Sequence, residues 1–232
     1  MNEAIVIIAA ARGELRPLTR SWAALKWDNG VEGWQHPSRS IFALYGGMGA
    51  DAATRAFARA KQICIPTFLF SVGWAGALDE DLAAGDVLEA TDILDTRTGE
   101  QYGLGPQLNP ASNNTALLLT TQRVAAREEK LQLKARYPQA AFVDMEAGTL
   151  ARLALANNLP FRAIKAISDT LHEDLPDLNP FISPMGQFCT ARFALHAAMR
   201  PQLWPVLSDF GKNASLAAKN LCETLARELS AM

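Results

Sequence analysis

Two apolar runs in the second half of the chain each end abruptly in an acid. The first run is Phe142–Ala147, with the sequence FVDMEA, and the second is Ala163–Asp169, with the sequence AIKAISD. Each has the apolar character of a buried strand, and open α/β sheets bind their ligands at the carboxyl ends of strands. We therefore predict that the acids Glu146 and Asp169 converge on one ligand and act on it together.

Cleavage of a purine N-glycosidic bond would use such a pair of carboxyl groups. The sugar gains oxocarbenium character while electrons move onto the leaving base, so the reaction needs an acid, an anionic sugar anchor and a nucleophile. Asp169 is our candidate for the acid near N7 of the purine, because a carboxyl in a dry pocket can hold its proton at neutral pH. Glu146 is the candidate anchor for the 2′- and 3′-hydroxyls, beside the developing cation.

Each acid also has a purely structural interpretation. Asp169 could cap a following helix by accepting hydrogen bonds from free backbone amides. Glu146 could complement the positive end of a helix that begins at Ala147, an effect of about 0.3–1 kcal/mol. The occurrence of both acids at strand ends favours the functional interpretation.

The surrounding pattern predicts an α/β fold. Short apolar runs predict seven strands, at Ala4–Ala10, Ile41–Tyr45, Thr67–Val72, Val87–Leu94, Ala116–Thr120, Ala141–Met145 and Phe161–Ile167. Helical patterns lie between many of them, and a final helix carries small and leucine residues on one face. Residues Gly99–Asn114 are predicted to be a long loop, of the kind that often forms a lid. We expect one domain over residues 1–232.

Composition excludes several classes of function. The 22 basic and 24 acidic residues give a net charge of −2, without a basic stripe, so we expect no nucleic-acid partner. The three cysteines and three histidines lack metal-ligand or disulfide spacing, which predicts no metal site and a reducing cytoplasm. The sequence shows no signal peptide and no apolar run of about 20 residues, so we expect no stable membrane insertion.

Four motifs resemble those of the nucleoside phosphorylase and nucleosidase superfamily. Val143–Ala147 and Ala166–Asp169 resemble its paired acidic signatures, while Tyr45–Gly49 and Gly73–Leu78, the latter with a following GDV, are similar to its glycine-rich segments. The resemblance covers most of the chain as far as Asp169. It implies a three-layer α/β/α, phosphorylase/hydrolase-like fold with a central mixed sheet. It also implies a small-molecule nucleoside substrate, no cofactor, and a homo-oligomer, with a dimer favoured.

The resemblance also assigns roles to residues. It places Asp169 at the purine, Met145 at the ribose face and Glu146 at the ribose hydroxyls. We add Trp74 and Gly76, where flanking glycines would let the backbone approach a ligand, and Val124 as further substrate-binding residues.

The nucleophile stays open between water and phosphate. A glutamate at the offset of Glu14 activates water in the related nucleosidases, whereas arginines and glycine-loop amides hold phosphate in the phosphorylases. Here Arg12, Gly47 and Gly49 could hold phosphate as a co-substrate. Two positions, Ser71 and Trp74, depart from the pattern of hexameric purine phosphorylases, which have an arginine and a small side chain there.

A finer resemblance links Thr121–Val124 and the segment after Asp169 to phosphorylases associated with hopanoid biosynthesis. It implies an adenine nucleoside with a large apolar 5′ group, and a role in hopanoid side-chain maturation.

Two other classes of protein stay open. A dinucleotide-dependent oxidoreductase should show GxGxxG after the first strand, where this chain has AAARGE. A non-catalytic nucleoside-binding module would keep the pocket but lose the acid or the partner of the nucleophile, and the presence of Asp169 and Glu146 argues against it.

Overall fold

The computed structural model describes residues 1–27, 29–104 and 115–232. Ten strands form a mixed sheet at its centre. The strands are β1 (Glu3–Ala9), β2 (Ala23–Lys26), β3 (Glu32–Gln35), β4 (Ile41–Tyr45), β5 (Ile65–Ala77), β6 (Val87–Asp95), β7 (Gln101–Gly103), β8 (Thr115–Thr120), β9 (Ala140–Asp144) and β10 (Phe161–Asp169). The helices are α1 (Arg12–Leu15), α2 (Ala50–Ile63), α3 (Arg127–Arg136), α4 (Ala147–Ala156), α5 (Thr190–Ala198) and α6 (Trp204–Ala231).

The long strand β5 organises the sheet. It pairs in parallel with β1 and β10 and, near its carboxyl end, antiparallel with β9. The path β10-β6-β8-β9 returns to β5, so these strands form a closed ring, while β1, β4, β3 and β2 extend from its other edge. The ring brings the carboxyl ends of β5, β9 and β10 together, which is where the predicted acids lie.

The sheet carries helices on both faces. Ile7 of β1 packs in one core with Leu221 and Leu225 of α6, whereas its neighbours Val6 and Ile8 pack with α2 and α4 on the other face. This alternation follows from the two-residue period of a strand. The predicted three-layer α/β/α arrangement with a mixed sheet is confirmed.

All seven predicted strands are present, and three short ones were missed. β2 and β3 add a meander to β4, and their four-residue runs are too short and too polar to give a clear strand pattern. β7 lies within the predicted loop Gly99–Asn114, so that loop prediction was wrong for residues 101–103. The rest of the predicted lid, residues 105–114, lies outside the described residues. Within the described ranges, no helix has the length and apolarity that a bilayer crossing requires.

Candidate active site

A cavity of about 350 Å³ opens at the carboxyl ends of β5, β9 and β10. Its wall contains seven of the ten residues predicted for the site: Glu14, Trp74, Gly76, Val124, Met145, Glu146 and Asp169. The three carboxyl groups therefore share one cavity, although Glu14 lies more than 100 residues before the other two in sequence. The strand order, rather than local sequence, brings them together.

Glu146 follows β9 and reaches across the cavity to the glycine loop. Its Oε1 accepts a hydrogen bond of 2.7 Å from the backbone N–H of Gly49. Glu146 occupies the N-cap position of α4, but its side chain makes no capping hydrogen bond. The side chain of Glu146 thus bonds to the glycine loop rather than to the backbone of α4.

Asp169 ends β10, and both of its carboxylate oxygens are held. Oδ1 accepts a 2.7 Å hydrogen bond from the hydroxyl of Ser168, and Oδ2 lies 2.7 Å from Nζ of Lys130 on α3. We expected a dry pocket around Asp169, whereas the structure places a buried lysine beside its carboxyl group. No sequence pattern marked Lys130 for this role, because charged residues dominate α3 and give it little amphipathic signal.

Glu14 lies on the short helix α1 and is held by three backbone amides. Its Oε2 accepts hydrogen bonds from the N–H groups of Ala10 at 2.9 Å and Ala11 at 2.7 Å, and Oε1 accepts one from Trp74 at 2.8 Å. Burial raises the pKa of Glu14, although these hydrogen bonds and the charge of Lys165 act in the opposite direction. Glu14 is thus a buried carboxyl group of fixed orientation at the cavity wall.

Gly73 is the residue that makes room for Glu14. Its φ is +140°, and a Cβ added there would lie 2.6 Å from Oε1 of Glu14. At Gly76 an added Cβ would lie 3.1 Å from Oδ2 of Asp169. We expected these glycines to let the backbone approach a ligand, but in this structure their immediate neighbours are the two carboxyl groups.

A buried ion pair that the sequence analysis missed lies beside these acids. Nζ of Lys165 on β10 is 2.8 Å from Oδ2 of Asp144, and neither side chain is appreciably exposed. Asp144 also accepts hydrogen bonds from the hydroxyl of Thr120 at 2.7 Å and the N–H of Ala147 at 2.9 Å. Both residues were hidden in the sequence because they interrupt runs that are otherwise apolar.

This ion pair influences the charge of Glu146. Burial and the charge of Asp144 raise the pKa of Glu146 to about 7, while the charge of Lys165 opposes the rise. For Lys165 itself, burial lowers the pKa, but the charges of Asp144 and Glu146 outweigh it and raise the pKa overall. The cavity therefore contains a carboxyl group that titrates near neutrality.

Comparison with known proteins gives the same architecture. One similar structure is the 5′-methylthioadenosine/S-adenosylhomocysteine nucleosidase of Neisseria meningitidis, solved in complex with methylthio-immucillin-A. Its superposition on this protein covers 100% of both chains, with a TM-score of 0.69 and 17% identity. The Streptococcus pneumoniae MTA/SAH nucleosidase, solved in complex with 8-aminoadenine, also covers 100% of both chains, with a TM-score of 0.67 and 21% identity. The chain has the nucleoside phosphorylase/nucleosidase fold. The phosphorylase/hydrolase-like fold that the motifs implied is confirmed.

Sequence comparison gives a more limited match within this superfamily. The 5′-methylthioadenosine/S-adenosylhomocysteine nucleosidase of Staphylococcus aureus is 29% identical over 130 residues, which cover 45% of this chain and 57% of the relative. The match thus spans little more than half the length of the relative. No model of a known protein family matches the sequence.

The three residues predicted to hold phosphate, Arg12, Gly47 and Gly49, do not line the cavity. The side chain of Arg12 is exposed and lies 6.0 Å from the centre of the Trp34 ring, and Arg12 is absent from the cavity wall. The N–H of Gly47 donates to the carbonyl of Ala10 at 3.0 Å, and that of Gly49 donates to Glu146. Since both amides are already paired, the structure does not support Arg12, Gly47 and Gly49 as a phosphate-binding set.

The remaining predicted residues contribute to the walls of the cavity. The indole N–H of Trp74 donates to the carbonyl of Ala214 at 3.1 Å, which fixes the ring against α6. The backbone N–H and C=O of Val124 pair with the carboxamide of Asn179 at 2.9 and 3.0 Å. Apolar side chains from the segment after β10 complete the cavity: Leu175, Leu178, Phe188 and Phe210. Among the described residues, no cluster of His, Cys, Asp or Glu could hold a metal ion.

Proposed function

We propose that the chain hydrolyses the N-glycosidic bond of a 5′-substituted adenine nucleoside and releases free adenine. The observation that carries the proposal is the presence of Glu14, Glu146 and Asp169 in the wall of one cavity. The fold and the partial sequence match to nucleosidases support the same reaction class. As further predictions, the enzyme is a homo-oligomer, with a dimer favoured, and it acts in the cytoplasm without a cofactor.

In this proposal each carboxyl group has a separate task. Glu146 accepts hydrogen bonds from the ribose hydroxyls and places negative charge beside the oxocarbenium-like sugar. Asp169 donates a proton to N7 of the purine as electrons move onto the base and the bond to the sugar breaks, and Lys130 lies beside the carboxylate that remains. Glu14 orients water and takes its proton, because a raised pKa makes a carboxylate a better base.

The charges around the cavity favour water over phosphate as the nucleophile. Four acids lie in its wall: Glu14, Asp144, Glu146 and Asp169. Two lysines adjoin them, but Lys130 is paired with Asp169 and Lys165 with Asp144. Arg123, the one cation among the described residues of the wall, is paired with Glu129 at 3.2 Å. A phosphate dianion would therefore meet uncompensated negative charge, whereas water carries none.

The apolar part of the cavity supports an apolar 5′ substituent. Leu175, Leu178, Phe188 and Phe210 provide side chains that can bury such a group. In more detail, we propose that the substrate is a nucleoside with a large apolar 5′ group and that the enzyme takes part in hopanoid side-chain maturation. It predicts a lower KM for adenosines with longer alkyl groups at the 5′ position.

The test is adenine release from 5′-substituted adenosines, with and without phosphate, followed by chromatography. We expect release without phosphate and no acceleration when phosphate is added. Asp169→Asn should lower turnover by about 10²–10⁴-fold, whereas Asp209→Asn, on the exposed surface of α6, should not change it. Release only with phosphate would overturn hydrolysis. If calorimetry shows nucleoside binding but no nucleoside tested is cleaved, the binding-module alternative replaces the enzyme.

A further inference from the structure

Helix α5 has apolar residues on both sides. On its inner side, the Phe193 ring lies 5.2 Å from the ring of Phe181 and 5.3 Å from that of Phe188. Its outer side carries a second apolar stripe, formed by the exposed residues Ala191, Ala194, Leu195 and Ala198, continued by Met199. No residue of α5 is fully buried. A helix that packs only on the body of the protein would have polar residues on this outer side.

The outer stripe continues into the first turn of α6. The indole N–H of Trp204 donates to the carbonyl of Ala197 at 2.9 Å, which holds the ring against the end of α5. Leu195, Met199 and Trp204 are 63%, 66% and 56% exposed. We call these three residues the outer face. Large apolar side chains grouped on a surface commonly mark a site of interaction.

The charges within the segment that carries the outer face have one sign. Residues 178–208 include Arg192 and Arg200 but no Asp or Glu, although the whole chain has a net charge of −2. Both arginines are exposed. The acids that border the segment, Asp177 and Asp209, interact locally with Asn179 and Lys212. The outer face therefore combines exposed apolar side chains with positive charge.

The same segment forms part of the cavity wall. Phe188 and Thr190, which precede and begin α5, line the cavity, as does Phe210 in α6. The outer face is thus continuous with the cavity wall through a single helix and its flanking residues. A partner bound to the outer face would lie beside the cavity.

We propose that the outer face docks on the surface of an anionic lipid bilayer. Leucine, methionine and tryptophan insert at the boundary of headgroups and acyl chains, and flanking arginines attract anionic lipids. A symmetric contact between two copies is disfavoured, because it would place the acid-free segment with Arg192 and Arg200 against its own copy. This docking goes beyond the proposed function, and its test requires no turnover.

The test is sedimentation of the full chain with vesicles of phosphatidylcholine alone and with vesicles that also contain phosphatidylglycerol. We expect tighter binding to the anionic vesicles. Replacement of the outer face by Leu195→Ser, Met199→Ser and Trp204→Ser together should lower the partition coefficient by about tenfold or more. The matched control is Leu155→Ser on α4, which is 70% exposed in a different layer of the fold. It should bind as the unchanged chain does.

A second variant tests the charge. Arg192→Gln with Arg200→Gln should remove most of the preference for anionic vesicles but keep the weaker binding to neutral ones. Circular dichroism of each variant shows whether it is folded. No binding to either vesicle, or unchanged binding of the folded triple variant, would overturn the proposal. So would a dimer that the triple variant dissociates in the absence of lipid, since the outer face would then be a contact between copies.

Discussion

Nζ of Lys130 lies 2.7 Å from Oδ2 of Asp169, and the lysine side chain is only 1% exposed. The contact joins α3 to the end of β10, and Lys130 also donates a hydrogen bond to the carbonyl of Thr170. Burial of a charged side chain costs free energy unless an opposite charge lies beside it. The two side chains are thus a single charged unit at the cavity wall, and each sets the position of the other.

Replacement of Lys130 by Met should impair catalysis through Asp169. Methionine approximates the length of lysine but leaves the carboxylate without its cation, so we expect turnover to fall by about 10–100-fold. In an Asp169→Asn background the same replacement should have little further effect, because the partner has already been altered. Adenine release by the four proteins of this double-mutant cycle measures the coupling.

Lys134→Met is the matched control for this cycle. Lys134 lies one turn further along α3, where it donates a hydrogen bond to the carbonyl of Ala140 at 3.1 Å and lies 3.6 Å from Asp79, away from the three acids of the cavity. Its replacement should leave turnover unchanged. Additive effects of Lys130→Met and Asp169→Asn would show that the two residues act independently.

Replacement of Glu14 by Gln should abolish adenine release without phosphate. The amide cannot take a proton from water, and its NH₂ group would face one of the N–H donors of Ala10, Ala11 or Trp74. We expect a loss of at least about 10²-fold in turnover with some loss of stability. Thermal denaturation separates the two effects, because a folded but inactive variant assigns the loss to chemistry. Undiminished release would remove Glu14 from the mechanism.

Much of the fold was predictable because its strands are long and apolar. β1, β5, β9 and β10 have runs of buried residues that no helix pattern fits, and their order matched known motifs. β2 and β7 were missed because short strands at the edge of the sheet depend on neighbours for their pairing. Local sequence carries little information about such strands.

The acids of the site were predictable, whereas their partners were not. Glu146 and Asp169 stand at strand ends, where an acid is conspicuous after apolar residues. Lys130 and Lys165 become meaningful only when the fold brings them to Asp169 and Asp144. Arg12 is the opposite case, because its position after the first strand suggested a contact with phosphate, whereas its side chain is exposed and does not line the cavity.

Gly73→Ala should destabilise the protein by about 1–3 kcal/mol because it combines two costs. The φ of +140° disfavours any side chain, and the added Cβ would lie 2.6 Å from Oε1 of Glu14. Gly211→Ala in α6 is the control, since an added Cβ there meets nothing within 4 Å. It should stabilise the helix by about 0.5–1 kcal/mol. Urea denaturation of both variants and of the unchanged protein measures these differences. If Gly73→Ala were as stable as the unchanged protein, Glu14 would move aside without cost.

The stability of the protein should depend on the ionisation of Glu146. Its pKa is about 7 in the folded state, against an ordinary value of 4.5. Between these values the folded chain holds a proton that the unfolded chain has released, so this group lowers the free energy of unfolding as the pH rises. Below pH 4.5 Glu146 is protonated in both the folded and the unfolded state, so it does not lower the free energy of unfolding. Above pH 7 the decrease is complete. Glu146→Gln should lack this decrease in denaturation experiments at about pH 5 and about pH 8, whereas Glu223→Gln on exposed α6 should keep it.

The same ionisation should appear in catalysis. The ribose anchor requires the charged form of Glu146, so kcat/KM, which reports the free enzyme, should rise as the pH increases through about 7. Asp144→Asn removes the charge that raises the pKa of Glu146 and leaves Lys165, which lowers it. The acid limb of the profile should therefore move to lower pH in this variant. A limb that stays in place, in a variant that is folded, would assign the titration to another group, with Glu14 the next candidate because burial raises its pKa as well.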